Sequence, residues 1–113
     1  MRIWNQGIDL TIKAYQIVSQ FPKEEQYGLK SQIRRAVVSI PSNIAEGCSR
    51  TSEKEFKHYL EISLGSSFEV ETDLIIAQRL GMISKEEEFD FLQGLHVEQR
   101  QLNALISRIR KGL

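Results

Sequence analysis

The sequence predicts an all-α protein: one domain over residues 1–113, folded as an antiparallel up-down-up-down four-helix bundle and assembling into a cyclic homo-oligomer. Three observations carry the helical prediction. Apolar residues recur at steps of three and four along nearly the whole chain, the spacing of one face of a helix. Glycine and proline are scarce, 7 and 2 in 113 residues, which disfavours a turn-rich sheet protein. Two Ser-x-x-Glu boxes, Ser52–Glu55 and Ser84–Glu87, each stand just before a periodic apolar run, as a helix N-terminus requires. The 41% apolar share is enough for a core and the 27% charged share is ordinary for a soluble chain.

The first helix is expected from about residue 3 to 20. Ile3, Gly7, Leu10, Ala14, Ile17 and Phe21 draw one stripe, and Trp4, Ile8, Ile12, Tyr15 and Val18 widen it. Pro22 ends it, because a proline disfavours the helical state of the residue before it. The second helix begins between Lys23 and Leu29, where Glu24 and Glu25 suit the positive end of the helix dipole. From there Leu29, Ile33, Ala36, Val37, Ile40 and Ile44 share a face, and Gly47 is placed to end the helix in a left-handed conformation. Pro41 lies inside this helix. It has no N–H for the Val37 carbonyl, so a bend is expected at a cost of about 3 kcal/mol unless it is accommodated. Ser39, Ser42 and Asn43 are the nearby groups able to satisfy the loosened backbone.

The third helix opens at Ser52 and follows Phe56, Leu60, Ser63, Ser67, Val70, Leu74 and Ala77 to a stop at Leu80–Gly81, with Met82 available for the contact that accompanies such a cap. Gly65, with Ser63, Ser66 and Ser67, makes a small-residue patch that permits close helix contact. The fourth opens at Ser84 and presents Leu92, Leu95, Gln99, Leu102, Ile106, Ile109 and Leu113, with Arg108, Arg110 and Lys111 in its last turn, where cations suit the dipole. Three short connections favour antiparallel neighbours. Arg34 or Arg35 is placed to pair with Glu69 or Glu71 across the second and third helices, with a solvated, unpaired carboxylate as the equal alternative.

The second helix raises the question of assembly. Residues 36 to 45, "AVVSIPSNIA", hold no charge. Opposite its inner face lie Ser31, Arg35, Val38, Ser39, Ser42, Ala45 and Glu46. A water-facing side normally carries several Lys or Glu residues. Small side chains here allow a second helix to approach, so these seven positions are the expected oligomer interface; a helix that merely uses serine on its surface is the alternative.

The segments "FPKEEQYGLKSQIRRAVVSIPSNIAEG" and "EFKHYLEISLGSSFEVETDLIIAQRLG" closely resemble the bacterial four-helix bundle protein family, also called the intervening-sequence protein family after members encoded in insertions within large-subunit ribosomal RNA genes. The resemblance spans about residues 4 to 110 and is most specific at Phe21-Pro22, Gln32 to Ala36, Ser39-Ile40, Asn43 to Gly47 and Gly65-Ser66. It implies an antiparallel four-helix bundle, a ring of five subunits and no established enzymatic activity. A related group, the accessory variability determinant proteins of diversity-generating retroelements, is also pentameric and binds nucleic acid and a reverse transcriptase through basic surface. This chain departs from that group in being neutral overall.

Its 15 basic and 15 acidic residues cancel, yet their order is uneven. Residues 61 to 98 hold two basic and nine acidic side chains, and residues 99 to 113 hold four basic and none acidic. Folded as a bundle, Arg2, Arg50, Lys54, Lys57, Arg108, Arg110 and Lys111 gather at one end, and Glu24, Glu25, Glu86, Glu87, Glu88 and Asp90 at the other. A ring would multiply the basic end into a rim able to attract phosphates. Helix capping accounts for part of this pattern, but Arg50, Lys54 and Lys57 flank a helix start and oppose the capping rule.

Catalytic chemistry finds little support. Cys48 is the single cysteine, so no internal disulfide or thiolate cage forms, which suits the cytoplasm. The N-terminal stretch, interrupted by Asp9 and Lys13, does not read as a signal peptide, and no apolar run reaches the length of a membrane span. Glu55-Phe56-Lys57-His58 echoes one half of a carboxylate–histidine metal motif, but His96 follows Gln93, so the pair is broken. No phosphate-binding loop occurs. The expectation is a non-enzymatic scaffold without cofactor or metal, homo-oligomeric, with an unidentified protein partner and no membrane contact. The alternative is a ring that binds RNA or DNA through the basic rim, as an accessory to a nucleic-acid enzyme.

Overall fold

The computed structural model describes all 113 residues, Met1–Leu113. Four helices and no strands make up the chain: α1, Arg2–Val18; α2, Leu29–Cys48; α3, Glu53–Arg79; and α4, Lys85–Gly112, with a single 3-10 turn at Lys23–Glu25. No helix is long and apolar enough to cross a membrane.

The helix ends follow local chemistry closely. Ser84 and Glu87 form the full reciprocal capping box: the Glu87 N–H donates to Ser84 Oγ at 3.0 Å and the Ser84 N–H to Glu87 Oε1 at 3.1 Å. At Ser52 only half of the expected box forms. The Glu55 N–H donates to Ser52 Oγ at 3.1 Å, while the Glu55 carboxylate meets the Ser52 hydroxyl instead of its N–H. The end of α3 is a Schellman turn. Gly81 adopts φ +80°, and the N–H groups of Gly81 and Met82 donate to the carbonyls of Gln78 and Ala77. Before α2, Glu25 reaches forward as a substitute cap, its Oε1 accepting from the Leu29 N–H at 3.0 Å.

Gly47 departs from the expectation. It has no left-handed φ, and α2 continues through it to Cys48. Its lack of a side chain serves packing: a Cβ there would lie 2.9 Å from Phe56 Cδ1 and 3.0 Å from Tyr59 Cβ. Pro41 lies inside the helix, as the sequence requires. The helix runs on through Pro41, and the Val37 carbonyl it leaves unpaired accepts at 3.2 Å from the Thr11 hydroxyl of α1, whose main bond is to the Gly7 carbonyl at 2.8 Å. None of Ser39, Ser42 and Asn43 does this; Asn43 Nδ2 donates to the Ser39 carbonyl.

Each helix packs against two neighbours, α1 on α2, α2 on α3, α3 on α4 and α4 back on α1, and none packs across the diagonal. Along α1 and α2 the facing residues run Met1 with Cys48, Gly7 with Pro41, and Thr11 with Val37. Twenty apolar residues form one core, among them Leu10, Ile33, Ile40, Leu60, Leu74, Leu95 and Leu102. The third stripe is buried from Leu60 to Ala77 as expected, its Ser63 hydroxyl donating to the Ile40 carbonyl at 2.9 Å. The first helix is narrower than expected: Trp4, Ile12 and Tyr15 are exposed. So is Leu113 at the end of α4, whereas Phe91 and Glu98 are buried.

Candidate assembly and nucleic-acid interfaces

The outer side of α2 carries Arg35, Val38, Ser42, Ala45 and Glu46 exposed, with Ser31 and Ser39 half-buried. Helical geometry puts them there, since all lie roughly opposite Ile33. Ser39 is already engaged within the chain: its Oγ is 2.8 Å from Ser66 Oγ on α3 and accepts from Asn43 Nδ2 at 2.8 Å. The small residues of α2 and α3 therefore first serve contact between these two helices. Gly65 does not share that role, for a Cβ added to it would meet nothing within 4 Å.

The arginines of α2 part ways because successive residues on a helix turn by 100°. Arg34 leans over the Tyr15 ring of α1, 6.0 Å from its centroid. Arg35 acts on Asp73 of α3. Burial raises the Asp73 carboxyl above its ordinary pKa, Glu69 adds to the rise, and Arg35 opposes it. Of the two alternatives for Arg34 and Arg35, pairing with Glu69 or Glu71 does not form. Glu71 is turned towards α4, where it meets His96 Nε2 at 3.2 Å and accepts from Gln99 Nε2 at 3.0 Å.

Exposed apolar residues lie on two sides of the subunit. On the α1–α2 side Trp4, Ile12, Tyr15 and Val38 are exposed. Thr11, Ile12, Tyr15 and Val38 line one shallow cleft, and Met1, Trp4, Ala45 and Cys48 line another. On the α3 side Ile62, Ile76 and, just past the helix end, Leu80 are exposed; Ser66, Glu69 and Asp73 stand between the two isoleucines on the same edge. Helical spacing alone places Trp4, Ile12 and Tyr15 beside the core stripe and gives Ile62 and Ile76 no partner. Isoleucines off the core stripe were the available signal.

At the basic end, three of the seven expected cations are paired. Arg50 bonds Glu46 at 2.6 Å and lies 4.9 Å over the Tyr59 ring. Lys57 and Arg110 share Glu61, at 3.3 and 3.7 Å. Arg2, Lys54, Arg108 and Lys111 make no ion pair; Arg2 and Arg108 flank a cleft between α1 and α4 that Ile3, Gln101 and Leu105 also line. The end is thus less basic than the cations alone imply, because Glu46 and Glu61 share it. His58 packs edge-on against Tyr59 with centroids 5.5 Å apart, and His96 belongs to the Glu71 contact on α4, so the two histidines serve separate neighbours. Cys48 is exposed, its Sγ 3.9 Å from Met1 Sδ.

Residues 1–104 match the family model described as 23S rRNA-intervening sequence protein. Among solved structures, the chain is similar to a protein of unknown function from the S23 ribosomal protein family of Bacteroides thetaiotaomicron, with a TM-score of 0.83 at 20% identity over 92% of this chain and 97% of that one. At that identity the likeness shows a shared fold. No curated protein matches the sequence.

Proposed function

Because the chain belongs to the 23S rRNA-intervening sequence protein family, we propose that it is a non-enzymatic scaffold: an up-down-up-down bundle that closes with copies of itself into a cyclic ring. The observation that carries this reading is the exposed apolar strip Trp4, Ile12, Tyr15 and Val38 on one side of the subunit, with the separate exposed residues Ile62, Ile76 and Leu80 on another. Two different surfaces that meet head to tail generate a ring when the rotation closes. The exposed small residues Ser42 and Ala45 beside the strip let a neighbouring helix come close. Five subunits is the number implied by the family resemblance, and the cytoplasm is the proposed location.

Light scattering and native mass spectrometry test the ring. Val38→Glu and Ser42→Glu alter exposed side chains and leave the core untouched, so both are expected to yield folded monomers. Intact oligomers for both variants would remove this face from the assembly. Ser39→Glu is the poorer probe, because it also breaks the Ser39–Ser66 contact inside the subunit.

A second reading has one observation in its favour: Arg2 and Arg108, neither in an ion pair, flank the same cleft. In a ring that cleft would repeat around a rim suited to phosphates of RNA or DNA. Arg2→Glu with Arg108→Glu is expected to abolish nucleic-acid retention, and wild-type retention is expected to fall steeply with salt. Retention unchanged in the double variant would exclude the cleft.

A further inference from the structure

We infer that the seam between α1 and α4 is a pH-gated joint: loss of the Glu98 proton inside the bundle loosens α1 from the helices it packs against. Glu98 is wholly buried, and neither carboxyl oxygen has a hydrogen-bond partner. It lies on the side of α4 that meets α1. A Cβ added to Gly7 of α1 would sit 3.3 Å from Glu98 Oε2 and 3.2 Å from Pro41 Cβ of α2. The carboxyl group occupies the space that this glycine leaves, next to a proline ring that offers no N–H.

An ionised carboxylate without donors or counter-charge is very costly in such a place, whereas the protonated acid is tolerated. Burial alone lifts the Glu98 pKa from 4.5 to about 8, with no charge of either sign contributing. The charged groups of the surrounding helices are turned elsewhere. Arg2, Asp9 and Lys13 of α1 are exposed, as are Arg35 and Glu46 of α2, while Arg34 lies over Tyr15. On α3, Glu71 faces His96 and Gln99, Asp73 is coupled to Glu69 and Arg35, and Lys57 bonds Glu61. On α4, Asp90 and Arg100 are exposed. Of the buried hydroxyls, Ser63 donates to the Ile40 carbonyl and Ser67 to the Leu64 carbonyl.

The helix that yields is α1. It is the shortest of the four at 17 residues, it has no side-chain cap at its N-terminus, and it carries no acidic residue in its first turn. One side-chain hydrogen bond joins it to α4, from Gln6 Nε2 to the Gly94 carbonyl at 3.1 Å. Clefts open along the seam beside Arg108, beside Gly94 and beside Glu87. Helix α4, by contrast, is held to α3 by the Glu71 contacts.

Amide hydrogen exchange from pH 5 to 9, corrected for the intrinsic pH dependence of exchange, tests the joint. The closed state holds a proton that the open state releases. The opening constant of Leu10 and Ala14 should therefore rise about tenfold per pH unit up to about pH 8 and then level off. At every pH it should exceed that of Val70 and Leu74 on α3. Glu98→Gln and Glu98→Leu should remove the slope. A slope that persists in Glu98→Leu, or α1 and α3 amides that open with identical constants, would overturn the inference. Should both variants fail to fold, the carboxyl carbon resonance of Glu98 in the wild-type protein decides: titration near pH 8 supports the joint, and titration near pH 4.5 overturns it.

Discussion

The α2–α3 and α1–α4 seams join helices of the same bundle by different means. Between α2 and α3, small residues and hydroxyls bring the backbones together. Gly47 admits Phe56 and Tyr59, Ser63 reaches the Ile40 carbonyl, and Ser39 meets Ser66. Between α1 and α4 the backbones are bridged once, by Gln6, and the interior holds a carboxyl group without a partner. Both seams contain glycines. At α2–α3 the space beside Gly47 is filled by a rigid aromatic neighbour; at α1–α4 Gly94 faces the flexible end of Leu10, and Gly7 faces the Pro41 ring and the unpartnered Glu98 carboxyl. The contrast teaches that residue composition does not reveal how firmly two helices are joined. What matters is whether the groups each one offers find donors, acceptors or close-packed atoms on the other.

The largest expected effect lies at the looser seam. Glu98 keeps its proton in the folded chain up to about pH 8 and loses it near 4.5 when exposed. Stability should therefore fall as pH rises through that window, by as much as about 1.4 kcal/mol per pH unit, and level off above it. Urea unfolding at pH 5, 6.5 and 8 measures this, and Glu98→Leu should flatten the dependence. At the tighter seam, Gly47→Leu should destabilise by about 1–3 kcal/mol or more, because the space is already taken by Phe56 and Tyr59. An unchanged unfolding midpoint would show that α2 and α3 can part without cost.

Thr11→Val should cost about 1 kcal/mol, since the single hydroxyl proton shared between the Gly7 and Val37 carbonyls is lost. Thr11→Ser should recover most of that loss in the same unfolding assay. The smallest effect, and one of opposite sign, is expected for Gly94→Ala. Its Cβ would lie 3.3 Å from Leu10 Cδ2, the end of a flexible side chain, and alanine favours a helix over glycine by about 1 kcal/mol. A slight rise in thermal midpoint would sharpen the contrast with Gly47, and a large fall would erase it.

Sequence by itself determined what depends on neighbours three or four residues away. The four helices, the Ser84–Glu87 box, the Gly81 turn and the buried stripe from Leu60 to Ala77 all follow from hydrogen bonds and side-chain directions within a single helix, which the order of residues specifies. Only tertiary structure decided which partner each remaining group meets. Gly47 reads as a helix stop until Phe56 is seen against it. The carbonyl freed by Pro41 is answered from α1, not from its own helix. Arg34 finds Tyr15, and Glu71 finds α4. Trp4, Ile12 and Tyr15 fall outside the core because a helix between two neighbours buries a narrower arc than its apolar residues span. Glu98 is the clearest case: three residues after Leu95 and four before Leu102, it falls by spacing on the buried side of α4, and only the approach of Gly7 and Pro41 from two other helices leaves its carboxyl group without a partner.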